Sequence, residues 1–330
     1  MMILIGEEGS KRTDYMKKAA ASLDTGLEVI GWDALLKGID LRQFEGAAVK
    51  IDPPSFQTAH LLDMQKHLEE YRDVLQRLAQ AECRFLNPPG SIWQLLDKKE
   101  TKLLLQGRGI PVTQMFSEDI RTAEQLLERM ERKHCYSVFV KPRYFSGAAG
   151  VAAFRIHPVS GKMRLYTSCR TEGKQLVNTK KLFALDDRRE ILPLLNQLLL
   201  LDCVVERWHP KADFQKKSFD LRIVFQFGHV AHVVVRQSKG PITNLHLNNQ
   251  ALDLQALGLE KKIWKEIVGV CEQAVSFFPN LSMAGIDILL ERETLRPLII
   301  EMNGQGDLIY QDIYGENRIY REQVRELCRA

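Results

Sequence analysis

Two apolar segments late in the sequence carry residues that could bind a metal ion. Asp287 lies within residues 285–290, and Glu301 and Asn303 lie in and just after residues 298–302. A carboxylate inside a strand is costly unless it meets a cation or a hydrogen-bonding partner. If the segments pair as strands, the three side chains face one point, because residues two apart share a face. This oxygen-only set indicates a Mg²⁺ site. A buried acid pair bonded to a basic neighbour is the structural alternative.

A lysine followed by a loop of small residues is the second candidate. Lys141 ends the apolar segment 138–140, and Ser146, Gly147 and Gly150 follow. Small residues let backbone N–H groups approach an anion closely, so the segment predicts a phosphate-binding hairpin. A purely structural hairpin has the same pattern. The P-loop motif G-x-x-x-x-G-K-[ST] is absent from the sequence.

Three sections must position these residues. Residues 1–88 alternate strand and helix, which predicts a small parallel-sheet α/β domain without a dinucleotide fingerprint. Residues 89–203 predict a helix over 91–106 and an antiparallel sheet with the glycine-bearing hairpin. Residues 204–330 predict a mixed sheet with the acidic residues. The fold class is therefore α/β, with α+β character in the C-terminal part.

Composition limits the class of protein. No apolar run approaches the roughly 20 residues of a membrane-spanning helix, and the six cysteines form no CxxC pair. We therefore expect a cytoplasmic protein with reduced thiols and no membrane association. The formal net charge is +4, with both signs mixed along the chain, so no nucleic-acid partner is indicated. Oligomeric state is not predicted.

The order of the motifs resembles the ATP-grasp superfamily, nearest to its ribosomal-protein glutamate ligase and D-alanine:D-alanine ligase branches. The resemblance runs from Asn87 to Gly306. Six motifs in family order carry it: Leu96-Asp97-Lys98 with Gly109-Ile-Pro-Val, Phe139-Val-Lys141-Pro with the glycine loop, Val204-Val-Glu206-Arg-Trp208, Asp220-Leu-Arg222, Arg236 with Thr243-Asn244-Leu-His246, and Asp287 with Glu301-Met-Asn303. It implies three α/β domains with ATP between the central and C-terminal ones. The opening Ile-Leu-Ile-Gly and the linker Leu-Asn-Pro-Pro also resemble an uncharacterised bacterial ATP-grasp group found beside radical-enzyme genes.

The resemblance assigns most of an ATP site. Lys98 and Lys141 occupy the places of the two lysines that hold the α- and β-phosphates. Backbone groups of the hinge at Val205 and Trp208, together with the Glu206 carboxylate, would meet the adenine. A helix-surface Lys98 and an exposed strand-end Glu206 are the alternatives.

Two acidic residues could accept the ribose hydroxyls. Asp220 matches the glutamate-ligase branch and is preferred. Asp213, seven residues after Glu206, matches the spacing of the other branch. Both assignments stay open at the level of sequence.

The catalytic candidates follow from the same resemblance. Arg222 and Arg236 would face the transferred phosphoryl group, where a fixed guanidinium stabilises growing charge. Ordinary salt-bridged arginines are the alternative. Asn244 lies in a loop that closes over the family's active site, and His246 is a candidate general base.

Three departures from the family pattern leave the acceptor open. Asn248-Asn249 replaces a glycine pair, and Gly285 stands where the D-alanine ligases carry an arginine. Gly304-Gln-Gly-Asp307 replaces a serine-proline-glycine ending.

The implied activity is that of an ATP- and Mg²⁺-dependent ligase, with two ions that Mn²⁺ could replace. A small-molecule or peptide carboxylate would become an acyl phosphate, and an amine or thiol acceptor would attack it, releasing ADP and phosphate. A kinase-like phosphotransferase and a nonenzymatic nucleotide-binding module are the alternatives.

Overall fold

A computed structural model describes residues 1–55, 58–173, 175–247, 249–306 and 308–329, with only the backbone of His246. Three sheets form the framework, and each belongs mainly to one of the three sections of the sequence. No helix within the described ranges is long and apolar enough to cross a membrane.

The first sheet is parallel, as predicted, with the order β2-β1-β3-β4. Its strands are β1 (Met2–Ile5), β2 (Glu28–Ile30), β3 (Ala48–Ile51) and β4 (Arg84–Phe85). Three helices connect them: α1 (Lys11–Ala21), α2 (Trp32–Leu36) and α3 (Leu61–Leu78). Every residue of β1 and β3 is buried, as expected for parallel strands that are covered on both faces.

The single helix predicted over residues 91–106 is wrong. Two helices occupy this stretch, α4 (Pro89–Leu96) and α5 (Lys98–Gly107). Asp97 separates them, because its backbone is extended and its carboxylate accepts hydrogen bonds from the N–H groups of Lys99 and Glu100. An N-cap carboxylate satisfies donors that the first turn of a helix leaves unpaired, so a new helix begins there.

The second sheet is antiparallel, with the order β8-β7-β6-β5-β9. Its strands are β5 (Ser137–Pro142), β6 (Ala152–Ile156), β7 (Met163–Glu172), β8 (Gln175–Leu185) and β9 (Cys203–Arg207). Helices α6 (Ala123–Arg132) and α7 (Arg188–Leu199) pack against it. Strand β9 pairs with β5, so the change of sheet comes after Arg207 rather than at Val204.

The third sheet has the order β13-β12-β11-β14-β15, with β10 beside β11. Its strands are β10 (Asp213–Phe214), β11 (Lys217–Gln226), β12 (His229–Ser238), β13 (Gln250–Leu252), β14 (Met283–Leu290) and β15 (Pro297–Asn303). All of its described strand pairs are antiparallel, whereas a mixed sheet was predicted.

Alternation along β11 divides the polar from the apolar face of this sheet. Leu221 and Ile223 pack in the core that includes helix α8 (Lys261–Ser276). Asp220 and Arg222 point to the opposite face, because successive strand residues alternate. The charged face is therefore turned away from α8.

The last two helices are α9 (Tyr310–Ile313) and α10 (Arg318–Cys328). Helix α10 returns to the first sheet, where Tyr320 and Val324 share a core with Met2, Leu4 and Met16. The first and third sections of the sequence thus have a common apolar core.

Candidate active site

A cleft of about 760 Å³, including its open mouth, lies between the second and third sheets. Charged residues from both sides line it, namely Lys98, Lys141, Glu206, Arg207, Lys211, Asp220, Arg236, Asp287 and Glu301. Lys141 of the hairpin and Asp287 and Glu301 of the acidic group therefore face one space, whereas Asn303, Ser146, Gly147 and Gly150 are not among its lining residues.

The acidic residues of β14 and β15 lie side by side. Asp287 pairs with Glu301 in the strand register, next to an irregularity between Asp287 and Ile288. Asn303 lies two residues further along β15, on the face of Glu301. Its Oδ1 atom is buried and accepts no hydrogen bond from the described residues. A buried oxygen without a hydrogen-bond donor lowers the stability of the fold, and a cation at this point would supply the missing interaction.

The composition of this group fits Mg²⁺. The described residues contain no cluster of three His, Cys, Asp or Glu side chains suited to a metal ion. A metal would therefore rest on two carboxylates and one amide oxygen. Mg²⁺ commonly binds one or two carboxylates and completes its shell with nucleotide phosphates and water.

Buried arginines and aspartates form ion pairs between neighbouring strands of the third sheet. Arg222 and Asp287 are register partners and form an ion pair. Arg236 lies 2.9 Å from the other Asp287 oxygen, and its Nε donates to Asp220 at 2.7 Å. Lys211 then donates to Asp220 at 2.8 Å. Both arginines therefore form salt bridges, which is what the alternative of ordinary salt-bridged arginines predicted. Arg236 also lines the cleft.

Burial and charge act against each other on the two aspartates. Burial raises the pKa of Asp287, although Arg222 and Arg236 oppose this effect. Burial also disfavours ionised Asp220, but Arg236 and Lys211 outweigh it and hold that pKa below its ordinary value. Asp287 is therefore the carboxylate whose charge is less well compensated, and a bound cation would compensate it further.

Glu206 connects two lysines under the second sheet. Lys141 donates to its Oε2 at 2.9 Å, and Lys102 lies 2.6 Å from its Oε1. Thr113 also donates to Oε2, at 2.9 Å. Burial opposes its ionisation, but the two lysines lower the pKa of Glu206 to about 2. Only 1 % of Glu206 is exposed, so the alternative of an exposed strand-end acid is wrong.

Lys102 was missed by the sequence analysis. It is buried, and burial lowers its pKa to about 8 despite the pull of Glu206. Its position four residues after Lys98 on α5 was the available signal, because residues four apart share a helix face.

Lys98 contacts the hairpin rather than solvent. It is the first residue of α5, and its Nζ donates to the carbonyl oxygen of Phe145. Arg143 joins Asp97 through two hydrogen bonds of 2.6 Å, and Tyr144 donates to the same carboxylate at 3.0 Å. These contacts tie the start of the hairpin to the start of α5. The alternative of a helix-surface Lys98 is wrong.

The tip of the hairpin differs from the expectation in detail. Ser146 and Gly147 are exposed, whereas Ala148 and Ala149 line the cleft. Gly150 lies behind them with φ +70°, and a Cβ there would come within 2.5 Å of Pro142 Cγ. Gly150 thus allows close packing at the base of the hairpin.

The hinge presents different residues from those expected. The Val205 carbonyl accepts a hydrogen bond from Phe116, and the Trp208 N–H donates to the Ser137 carbonyl. These backbone groups are therefore engaged within the protein. Strand β9 pairs with β5 along one edge, and the segment at Met115 and Phe116 lies along the other edge. Arg207 and His209 line the cleft at this point.

The two ribose candidates lie in contrasting places. Asp213 is exposed, lies 3.7 Å from Arg292 and does not line the cleft. Asp220 lines the cleft, but its oxygens accept hydrogen bonds from Arg236, Lys211 and Thr243.

The loop after β12 is fixed by one of the residues that depart from the family pattern. Asn249 Nδ2 donates to the carbonyl oxygens of Ile242 and Asn244, at 2.8 and 2.9 Å. Asn244 itself lines the cleft. The His246 side chain, Asn248 and Asp307 lie outside the described residues.

Comparisons with known proteins locate the fold. No family model matches the sequence, and no curated protein matches it. Solved structures match over nearly the whole chain: D-cycloserine synthetase DcsG (15% identity, TM-score 0.63, 99% of each chain), macrocyclase MdnC of Microcystis aeruginosa MRC bound with precursor peptide MdnA (13%, 0.60, 99% of each chain), and ATP-grasp ligase PsnB complexed with minimal precursor, Mg and ADP (12%, 0.57, 99% of this chain and 96% of that one). Identities this low establish similarity of fold.

Proposed function

The chain has the ATP-grasp fold that its sequence predicted, and we propose that it is an ATP- and Mg²⁺-dependent ligase that forms a C–N bond. The donor would be a carboxylate on a peptide or amino acid, activated as an acyl phosphate. The acceptor would be an amine, with a thiol as the second possibility. ATP would lie between the second and third sheets.

One observation carries the proposal: phosphate-type cations and metal-type oxygens line the same cleft, namely Lys98, Lys141, Asp287 and Glu301. Lys141 lies on β5 of the second sheet, and the two carboxylates lie on β14 and β15 of the third sheet. Lysine is a common phosphate ligand because its ammonium is a compact point charge. Asp287, Glu301 and Asn303 would hold the Mg²⁺, which when bound would supply charge that neutralises the transferred phosphate.

The arginines have a role in this reaction through Asp287. A cation bound by Asp287 would compete with Arg222 and Arg236 for the same two oxygens. The guanidinium of Arg236 would then be available to the transferred phosphoryl group, with Asp220 still holding its Nε. A hydrogen-bond donor that is fixed where charge grows usually lowers the reaction barrier more than any other single effect.

The proposed reaction has two steps. A carboxylate oxygen attacks the γ-phosphorus, the bond from that phosphorus to the β-bridging oxygen breaks, and ADP leaves. The amine nitrogen then attacks the acyl carbon, the bond from carbon to the phosphate oxygen breaks, and inorganic phosphate leaves. The amine loses a proton to phosphate or solvent. The products are an amide, ADP and phosphate.

The peptide class of substrate is supported by two of the similar structures. MdnC is described with a precursor peptide, and PsnB with a minimal precursor, Mg and ADP. For the present chain, a peptide bearing an acidic side chain is therefore the first carboxylate to test.

The test is a screen for ADP release over pairs of carboxylates and amines, including acidic peptides, with Mg²⁺ and ATP. Hydroxylamine serves as the trapping amine, since an acyl phosphate yields a hydroxamate. ADP release that depends on a carboxylate and yields hydroxamate supports the ligase. A stable phosphorylated product without hydroxamate indicates a kinase instead. Nucleotide binding without ADP release under any pair overturns the proposal in favour of a binding module.

A further inference from the structure

Lys211 is a buried lysine of the cleft that the proposed reaction has not yet used. It precedes β10, is 8% exposed and lines the cleft. Its Nζ donates to Asp220 Oδ2 and to Thr243 Oγ1, both at 2.8 Å. The side chain is therefore held in one position by a neighbouring strand and a loop.

The ammonium of Lys211 has more N–H groups than the described residues around it have acceptors for them. An ammonium carries three N–H groups, and the described residues supply two hydrogen-bond acceptors. The remaining N–H belongs to a side chain that lines open space in the cleft. Because a buried charged donor without an acceptor is costly, this position suits a ligand oxygen.

The charges around Lys211 indicate an anion. Burial lowers its pKa although Asp220 opposes that effect, and the charges of Arg236 and Lys141 lower it further. Lys211 shares Asp220 with Arg236, whose guanidinium also contacts Asp287. Among the described residues, Lys211 therefore forms its ion pair with a carboxylate that a second cation also contacts, and an anionic ligand would complete its pairing.

We propose that Lys211 is a third phosphate-binding lysine of the cleft, positioned by Asp220 and Thr243. Its ligand is a phosphate oxygen of the nucleotide, because a compact ammonium fits phosphate without strict geometry. This inference rests on the proposed function only as far as nucleotide binding, and does not depend on which carboxylate the enzyme activates.

Calorimetric titration of Lys211→Met with adenosine, AMP, Mg·ADP and Mg·AMPPNP tests the inference. Losing a charged hydrogen bond typically weakens binding about tenfold to a hundredfold. We expect that loss for at least one phosphorylated ligand and an unchanged affinity for adenosine. Lys211→Arg, which keeps the charge, should recover part of the affinity. Lys217→Met, at a half-buried lysine that donates to Gln250 and does not line the cleft, is the matched control and should bind all four ligands normally.

Two outcomes would overturn the inference. One is an unchanged affinity of Lys211→Met for all phosphorylated ligands, and the other is an equal loss for adenosine. If Lys211→Met does not fold, the double variant Lys211→Met/Asp220→Asn takes its place in the same titrations. The double variant removes the charges of both members of the ion pair. A wild-type protein that binds no nucleotide contradicts both this inference and the proposed function. Selective loss without any ADP release contradicts the function alone.

Discussion

Arg236 of β12 reaches across β11 to Asp287 of β14, and the guanidinium lies 2.9 Å from the carboxylate. The same arginine donates to Asp220 at 2.7 Å. A residue in this position is both structural and, by our proposal, catalytic. A variant at Arg236 should therefore lose stability and activity together, and the two losses must be measured separately.

For Arg236→Ala, we expect the unfolding free energy to fall by about 3–5 kcal/mol, because two buried carboxylates lose a partner. We also expect kcat and kcat/KM for ADP release to fall about 100- to 1000-fold, with nucleotide affinity nearly kept. Arg236→Lys should recover little activity, since a point charge does not reproduce the planar fork. Chemical denaturation, calorimetry and ADP release measure these quantities. Arg292→Ala, on an exposed turn, is the control, and normal turnover by folded Arg236→Ala would refute the catalytic role.

The metal assignment predicts that Glu301→Gln folds normally but loses Mg²⁺-dependent turnover. The variant removes a charge from the proposed ion site while keeping side-chain volume. Mn²⁺ titration followed by electron paramagnetic resonance, in the presence of ADP, gives a readout independent of activity. Binding of Mn²⁺ should weaken in Glu301→Gln and in Asp287→Asn, but not in Glu293→Gln, whose side chain is exposed in the turn before β15. Unchanged Mn²⁺ affinity in both site variants would remove these residues from the metal site.

Glu206 predicts a pH dependence of stability. Its pKa is about 2 in the folded protein against an ordinary value of 4.5. A carboxyl group with a lowered folded pKa contributes stability above its unfolded pKa, and that contribution is lost as pH falls toward the folded pKa. Wild type should exceed Glu206→Gln in unfolding free energy by about 3 kcal/mol near pH 6, at about 1.4 kcal/mol per pKa unit. The difference should shrink between pH 4.5 and 2, and a difference independent of pH would contradict the ion-pair network.

The ribose assignment can be decided with deoxynucleotides. Because the oxygens of Asp220 already accept from Arg236, Lys211 and Thr243, we expect Asp220→Asn to keep the wild-type ratio of affinities between Mg·ADP and its 2′- and 3′-deoxy forms. Asp213→Asn, at the other candidate, is measured beside it by calorimetry. If the ratio falls to one in Asp220→Asn alone, Asp220 does bind the ribose and the expectation is wrong.

Gly150 and Gly147 form a matched pair of glycines with positive φ. Gly150→Ala should destabilise the hairpin more than Gly147→Ala, because only at Gly150 does the new Cβ meet another atom, Pro142 Cγ at 2.5 Å. Each substitution carries the left-handed backbone strain of about 1–2 kcal/mol. Thermal unfolding and nucleotide titration compare them, and equal effects of the two variants would show that the contact with Pro142 is relieved at no cost.

The sequence predicted best where apolar strands surround a charged residue. The pairing of Asp287 with Glu301 follows from two short apolar segments, because a carboxylate in such a strand is unusual. Lys102 and Lys211 were not predicted, since an isolated lysine in a polar stretch has the pattern of a surface residue. The spacing of four residues from Lys98 was the signal for Lys102, whereas the ion pairs of the two lysines with Glu206 and Asp220 are not visible in a local sequence pattern.

Helix boundaries show the same limit. The apolar periodicity of residues 91–106 continues through Asp97, so sequence pattern favoured one helix. The break lies at Asp97, whose carboxylate caps α5 and is also held by Arg143 and Tyr144, 46 and 47 residues away. At the hinge, the Val205 carbonyl and the Trp208 N–H are bonded to Phe116 and Ser137, which the sequence pattern of the hinge does not indicate.

The packing of α10 on the first sheet has a consequence for dissecting the protein. Tyr320 and Val324 share a core with Met2, Leu4 and Met16. A fragment cut at the predicted boundary, residues 89–330, would expose the apolar face of α10 to water, and residues 1–88 would lose the covering of β1. We therefore expect that the sections defined by sequence do not fold on their own. A permuted chain that joins α10 directly to β1 should keep this shared core intact, whereas simple truncation should yield aggregation-prone pieces.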